Sequence, residues 1–253
     1  MKIRRLVKHL LSVLVLMGVV LPAAAQAPLD DRLTGDLGVA VYNTQKIVRT
    51  QAAPSVTLPY AYFDLGRFYS RVDTFGFKTM RLGSGHVEVA GRISFEGFKT
   101  DAPGLQGITP RANPLPVGLG TYQETPWGAV FAYSFYDATS GGMLHELTYA
   151  AEFKLGAVTV YPQIGAEHRS RNYVQHLYGV SAAESRASVF GAYSAGSSTT
   201  PVLAMAFELP VTETWHINLQ LRRRWLDSAI TRSPLVSTHV QDSGFMALTR
   251  AFQ

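Results

Sequence analysis

"LTYAAEFKLGAVTVYPQIGAEHRS", residues 147–170, decides the fold. Leu147, Tyr149 and Phe153, then Val158, Val160 and Ile164, share one side of an extended chain. Thr148, Glu152, Thr159, Gln163, Glu167 and Arg169 share the other, because successive strand side chains point to opposite faces. In water the apolar side of such a hairpin has to be covered by a helical layer or a second sheet. The chain offers few helices to cover it, so the apolar side is expected to face something other than water.

Alternation and turn chemistry predict twelve strands: 36–42, 55–64, 67–74, 75–82, 86–98, 117–123, 128–137, 143–153, 157–170, 200–209, 215–226 and 242–252. Tight turns at "DLGR" (64–67), "GSG" (83–85), "ETPW" (124–127), "KLG" (154–156) and "PVTET" (210–214) all follow even strands. The long connections 43–54, 99–116, 171–199 and 227–241 all follow odd ones; two other odd connections, near Thr74 and at 138–142, are short. Loops sorted by parity, with an even strand count, are the pattern of a transmembrane β-barrel with periplasmic turns and longer outer loops. The expected fold is therefore an all-β, antiparallel transmembrane barrel of about twelve strands, closed because unpaired backbone groups are costly in hydrocarbon.

The faces follow. In 215–226, Trp215, Ile217, Leu219 and Leu221 should meet lipid, and Asn218, Gln220, Arg222 and Arg224 the lumen. In 86–98, Val87, Val89, Ile93 and Phe95 oppose Glu88, Arg92 and Glu96; in 128–137, Phe131, Tyr133 and Phe135 are assigned to lipid, opposite Ala132, Ser134 and Tyr136. The predicted lumen-lining set is Glu88, Arg92, Glu96, Glu146, Glu152, Glu167, Arg169, Arg222 and Arg224. Its mixed signs suit either a pore lining or a paired network filling a small barrel, with the network favoured. Tyr42, Tyr60, Phe63, Phe68, Tyr69, Trp127, Trp215 and Trp225 fall near strand ends, as interfacial aromatic girdles do.

The N-terminus fits export. Lys2, Arg4, Arg5 and Lys8 precede the apolar run "LLSVLVLMGVVLP" (10–22), and Ala23 and Ala25 give a small-x-small cleavage rule. Residues 1–25 are expected to be a cleaved signal peptide, and 26–253 the barrel domain. The run is shorter than the ~20 residues a helical span needs. Removing these four basic residues brings the formal charge from +5 to +1, so no basic field is left to attract nucleic acid. With no cysteine, disulfides and thiolate metal sites are excluded. Phe252 stands one residue before the end.

"YGVSAAES" (Tyr178–Ser185), preceded by "RNYVQHL", resembles a signature of the MipA/OmpV family, the MltA-interacting outer-membrane proteins. "RRRWLDSAITRSPLV" (Arg222–Val236) resembles that family's late strand and the loop after it, at Ser233 and Pro234; "LGVAVY" and "LPYAYFDLGRFY" resemble its opening hairpin. Tyr178, Gly179, Val180, Ser233 and Pro234 are thus the family motif loops. The chain departs from the family's usual segment after the first strand, where it carries "NTQKIVRTQAAP". The resemblance implies a location in the outer membrane of a Gram-negative bacterium, surrounded by outer-membrane lipid. It also implies a non-enzymatic scaffold for a murein-degrading lytic transglycosylase and a bifunctional penicillin-binding protein, linked to peptidoglycan remodelling or envelope maintenance. The tail "QAPLDDRLTG" (26–35) and Arg67, Glu124, Lys154 and Glu213 would carry that periplasmic contact.

Two other function classes compete. One is a small-solute channel. The other is a lipid A-modifying enzyme, because His168 and Ser170 are two apart on one strand face, as in a nucleophile–base pair. No carboxylate is tied to that pair by sequence. His145–Glu146 lacks the second histidine of a zinc helix, and the histidines show no i,i+4 pairing, so neither a metal nor a cofactor is expected. Ser181 and Glu184 have capping-box spacing and predict a short helix over 181–186.

Overall fold

A computed structural model describes residues 32–49, 55–100 and 104–252. The expected signal peptide, most of the 26–35 tail and Gln253 lie outside these residues. The strand segments are β1 (Leu33–Thr44), β2 (Val56–Leu65), β3 (Phe68–Arg71), β4 (Thr74–Leu82), β5 (Gly85–Arg92), β6 (Pro116–Thr125) and β7 (Gly128–Asp137). They continue as β8 (Gly142–Ala151), β9 (Phe153–Leu155), β10 (Val158–Arg169), β11 (Ser198–Pro210), β12 (Trp215–Trp225) and β13 (Val240–Phe252). Both β8 and β9 pair with β10, so they are one strand interrupted at Glu152, and the barrel has twelve strands. Every ladder is antiparallel, and β1 pairs with β13 from Gly35↔Phe252 to Thr44↔Ser243, which closes the sheet.

The tight turns and both strand termini gather at one end, the turn end. Gly66 and Gly83 take left-handed φ values of 59° and 58° there, which lets the chain reverse within two residues. The hairpin after β3 turns at Val72–Asp73, slightly earlier than the residues near Thr74 suggested. Strand β5 ends at Arg92, not 98; residues 93–98 stay extended but leave the ladder.

Apolar side chains form a belt around the outside. Val39, Leu119, Leu147, Ile164, Leu221 and Met246 are all exposed, Ile164 by 64%. An encircling apolar surface of this extent is far beyond what a water-soluble protein presents, and among the described residues no helix is long and apolar enough to cross a membrane. Hydrocarbon is the solvent for this belt.

Strand β7 is the correction. Phe131, Tyr133 and Phe135 point inward, whereas Tyr136 is exposed. The aromatic face is drawn in by a cation: the Arg92 guanidinium lies over Phe135 at 5.0 Å and over Tyr133 at 5.8 Å. The girdle needs amending too. Phe68, Trp127, Trp215 and Trp225 are exposed, but Tyr60 and Tyr69 are buried, and Tyr42 and Tyr60 pack as tilted rings against Phe245.

The opposite end, the loop end, carries a lid. Its elements are α1 (Arg171–Tyr178), α2 (Ala182–Ala187) and α3 (Ser228–Thr231). α2 has the expected capping box, with Ser181 Oγ accepting from Glu184 N and the Glu184 carboxylate accepting from Ser181 N. α1 was not foreseen, although Val174, Leu177 and Tyr178 have i, i+3, i+4 spacing. Ile47, Phe98, Leu105, Val174, Leu177 and Leu235 come from four loops and are buried together, and the cluster runs on to Ala90, Phe135 and Leu144, so an apolar core seats the lid on the strands beneath it.

Candidate functional site

A cavity of about 1580 Å³ occupies the barrel between the lid and the β6–β7 turn. Tyr173 and Tyr178 of α1 line its ceiling, and Pro126 and Trp127 line it at the turn end. The predicted lumen residues sort into four groups around it.

Beneath the lid, two carboxylates are shared by three guanidinium groups. Glu167 meets Arg169 at 3.0 Å, Arg224 at 2.9 Å, and Arg222 at hydrogen-bond contact. Glu96 meets Arg169 at 2.7 Å and Arg224 at 2.9 Å, and accepts from Tyr173 Oη at 3.1 Å. The register explains the meeting. Glu167 faces inward from β10, and Arg222 and Arg224 face inward from β12, with β11 between them. Glu96 reaches in from the extended segment after β5. Arg224 also contacts Gln241, whose amide donates to Gln45 O in the first loop.

Lower down, Arg92 pairs with Glu146 across the lumen and lies 3.9 Å from Asp73. Glu88 accepts from Tyr133 Oη at 2.6 Å and meets His86 at 2.8 Å. Glu152 is exposed and lines the cavity near Trp127. Sequence reasoning missed a further group: Asp64 pairs with Arg71 at 2.8 Å and Lys78 at 2.7 Å. The alternation of β2 could have found Asp64, since it shares a face with Tyr60 and Tyr62.

The motif loops come together inside the lid. Buried Ser233 donates from Oγ to Tyr178 O at 2.7 Å. Arg111 donates to Gly179 O, Arg49 to Pro234 O, and Val180 bridges to Tyr193. These residues fasten loops to one another, and none of those bonds reaches into the lumen.

Glu184 is a second fastener. Its carboxylate accepts from Thr109 N at 3.0 Å and pairs with Arg111 at 2.8 Å. Burial opposes its charge, but the backbone donors of Ser181 and Thr109, with Arg111, lower its pKa to about 2. The folded value lies below the ordinary 4.5. The stabilisation is therefore complete above pH 4.5 and is lost as the pH falls towards 2. Pepsin digestion at pH 3 should cut residues 93–115 and 170–197 while sparing the strands, and at pH 4.5 should cut them far more slowly. Equal cutting at both values in the wild type, scaled only by pepsin's own activity on an unfolded control, would remove the Glu184 carboxylate as a fastener.

The remaining candidates separate. His168 Nδ1 lies 2.9 Å from Thr199 Oγ1, and its ring stacks on His145 at 6.1 Å on the barrel's outer surface. Ser170 is the N-cap of α1, and its Oγ accepts from Met143 N. Each partner of that pair is engaged elsewhere. Glu146 points inward and His145 outward, so they form no shared ligand set.

Comparison with known proteins places this architecture. The sequence model of the family described as MltA-interacting protein MipA matches residues 37–252. The chain belongs to the MipA family. The outer membrane protein YiaT of Escherichia coli (strain K12) is 25% identical over 186 residues, covering 71% of this chain and 75% of that protein. The MltA-interacting protein of the same strain is 25% identical over 134 residues, covering 52% of this chain and 54% of its own length. Among solved structures, a loop-deletion variant of OmpT from Vibrio cholerae superposes with a TM-score of 0.37 at 6% identity, covering 88% of this chain and all of that one. This MipA-family chain is an outer-membrane β-barrel. Its turn end accordingly faces the periplasm and its lid the exterior.

Proposed function

We propose that this MipA-family barrel is a non-enzymatic interaction protein of the outer membrane, engaging envelope partners through its periplasmic rim, and that it is not a diffusion channel in its resting state. The observation that supports this is the closure of the outer end. A lid seated on the strands by an apolar core covers a network in which every carboxylate is shared by arginines. Mixed charges that neutralise each other over a constriction serve as a plug better than as a selectivity filter.

The relative named MltA-interacting protein supports a partner in murein metabolism. A lytic transglycosylase, with a bifunctional penicillin-binding protein joined to it, is the reading carried to this chain. A stable interface buries about 800 Å² per partner, and tight turns supply little area. The apolar residues exposed at the turns, Leu82, Trp127, Leu155 and Val211, are the strongest anchors available there, with the 26–35 segment adding to them. Aromatic anchors carry much of the energy in such interfaces.

Surface capture of the purified transglycosylase on the full-length barrel in lipid nanodiscs tests the proposal. Trp127→Ala should weaken binding by about tenfold or more, as loss of a hot-spot aromatic does, and removal of residues 26–31 should weaken it further. Absence of binding by the wild-type barrel, together with steady open steps in planar bilayers, would favour the small-solute channel.

A further inference from the structure

The barrel wall has a window in its outer half, between β2 and the extended segment after β5. Strand β3 has four residues and pairs only with Tyr62–Leu65 of β2. One more backbone bond, from Val72 N to Ala61 O, ends the contact. Among the described residues, Val56–Tyr60 therefore has β1 on one side and no strand on the other. Across the gap, the β3–β4 hairpin tip is tied at Ile93 N to Asp73 O, and the chain beyond Ile93 has left the ladder. Three inter-strand spacings of about 4.8 Å, roughly 14 Å, separate β2 from β5 at the level of the hairpin, and five residues give a height on the order of 17 Å. The gap narrows at its outer rim, where Lys46 Nζ donates to Phe95 O at 3.2 Å.

The window lies at lipid depth. Val39 and Val41 of β1 register beside Pro59 and Thr57, and Leu248 and Met246 of β13 register beside them in turn. All four apolar side chains are exposed on the outer belt. On the far side Phe75, Ile93 and Phe95 are exposed as well. Val56, Leu58 and Val72 border the lumen cavity on the inner side of this gap, and Phe75, Ile93 and Phe95 border it on the other. Just inside, Tyr42, Tyr60 and Phe245 pack as an apolar surface. At the hairpin tip Val72 holds a φ of 64°, a conformation that a β-branched side chain resists.

An unpaired strand edge facing dry hydrocarbon costs several kcal/mol per backbone group. Its occupant must therefore supply hydrogen bonds as well as apolar surface. The lid bars entry from outside, and the surrounding solvent is the outer leaflet. We infer that the window admits an amphiphile from the outer leaflet, its amide, ester or hydroxyl groups meeting the Val56–Tyr60 edge and its hydrocarbon chain lying against Tyr42, Tyr60 and Phe245. This lateral binding site is independent of the periplasmic role.

The test uses the folded full-length protein in vesicles containing a fatty acid with a photoreactive diazirine near the chain end. Irradiation followed by peptide mapping should place label on Leu58, Tyr60 and Phe245 inside the window as well as on outward residues such as Leu221. The chain has no cysteine, so Leu58→Cys with Ser94→Cys can be joined across the gap by a bis-maleimide linker with an internal disulfide, which a reductant cleaves. Joining should lower interior labelling several-fold without changing outward labelling, and cleaving the linker should restore it. Label confined to outward residues in the wild type, where no substitution can disturb folding, would overturn the inference. So would interior labelling that is indifferent to the linker once joining is verified by mass.

Discussion

Leu177→Asp should make the barrel conduct. Leu177 is fully buried on α1, where it packs with Val174, Ile230 and Leu235. Truncating a buried leucine alone costs about 2–5 kcal/mol, and a carboxylate in the same apolar place adds a desolvation penalty. Most of the cluster around Leu177 lies on the loops, and it reaches down to Ala90, Phe135 and Leu144 on the strands. The cost falls first on the loop segments, which have few ladder bonds and can open locally. Beneath it lies the cavity of about 1580 Å³. Planar-bilayer recordings of the variant should show discrete open steps absent from wild type, while its heat-modifiable gel migration stays that of a folded barrel. A silent variant whose lid is cut by protease would mean that the charge network alone seals the lumen.

Glu167→Leu should be the most damaging single change in that network. The carboxylate is 3% exposed and balances Arg169, Arg222 and Arg224 at once. Removing one member of a buried ion pair costs about 3–5 kcal/mol, because its partners remain buried and uncompensated. Denaturant unfolding from lipid or detergent should show that loss. Glu167→Leu combined with Arg222→Leu should recover part of it, since Arg222 is the most exposed of the three arginines. A double variant no better than the single one would show that the arginines are solvated after all.

Much of the barrel was legible because the membrane imposes a simple rule. Ile164, Leu147 and Leu221 could only be an outer face once Glu167 and Arg222 occupied the other parity, and the loops sorted themselves by length. Strand β7 broke the rule. Phe131, Tyr133 and Phe135 look greasier than Ala132 and Ser134, but a lumen can be filled with aromatics when a cation such as Arg92 lies against them. Alternation says that two faces differ, not which one is inside. The early end of β5 was hidden too, since Ile93 and Phe95 keep the alternating pattern without a partner strand. The ion network was beyond reach for a different reason: Arg224 and Glu96 are 128 positions apart. Their meeting depends on strand registers that no local pattern encodes. Helix α1, eight residues long, carried its spacing in plain sight but was too short to stand out from the loop around it.

The seam between the first and last strands has a consequence for biogenesis. Ten residue pairs join β1 to β13, and the two lie some two hundred positions apart along the chain. Without the thirteen residues of β13, β1 and β12 would both present unpaired backbone to the bilayer. Closure therefore waits on the last strand, slow in the manner of long-range pairing, and a chain cut short before Val240 has no closed form to reach.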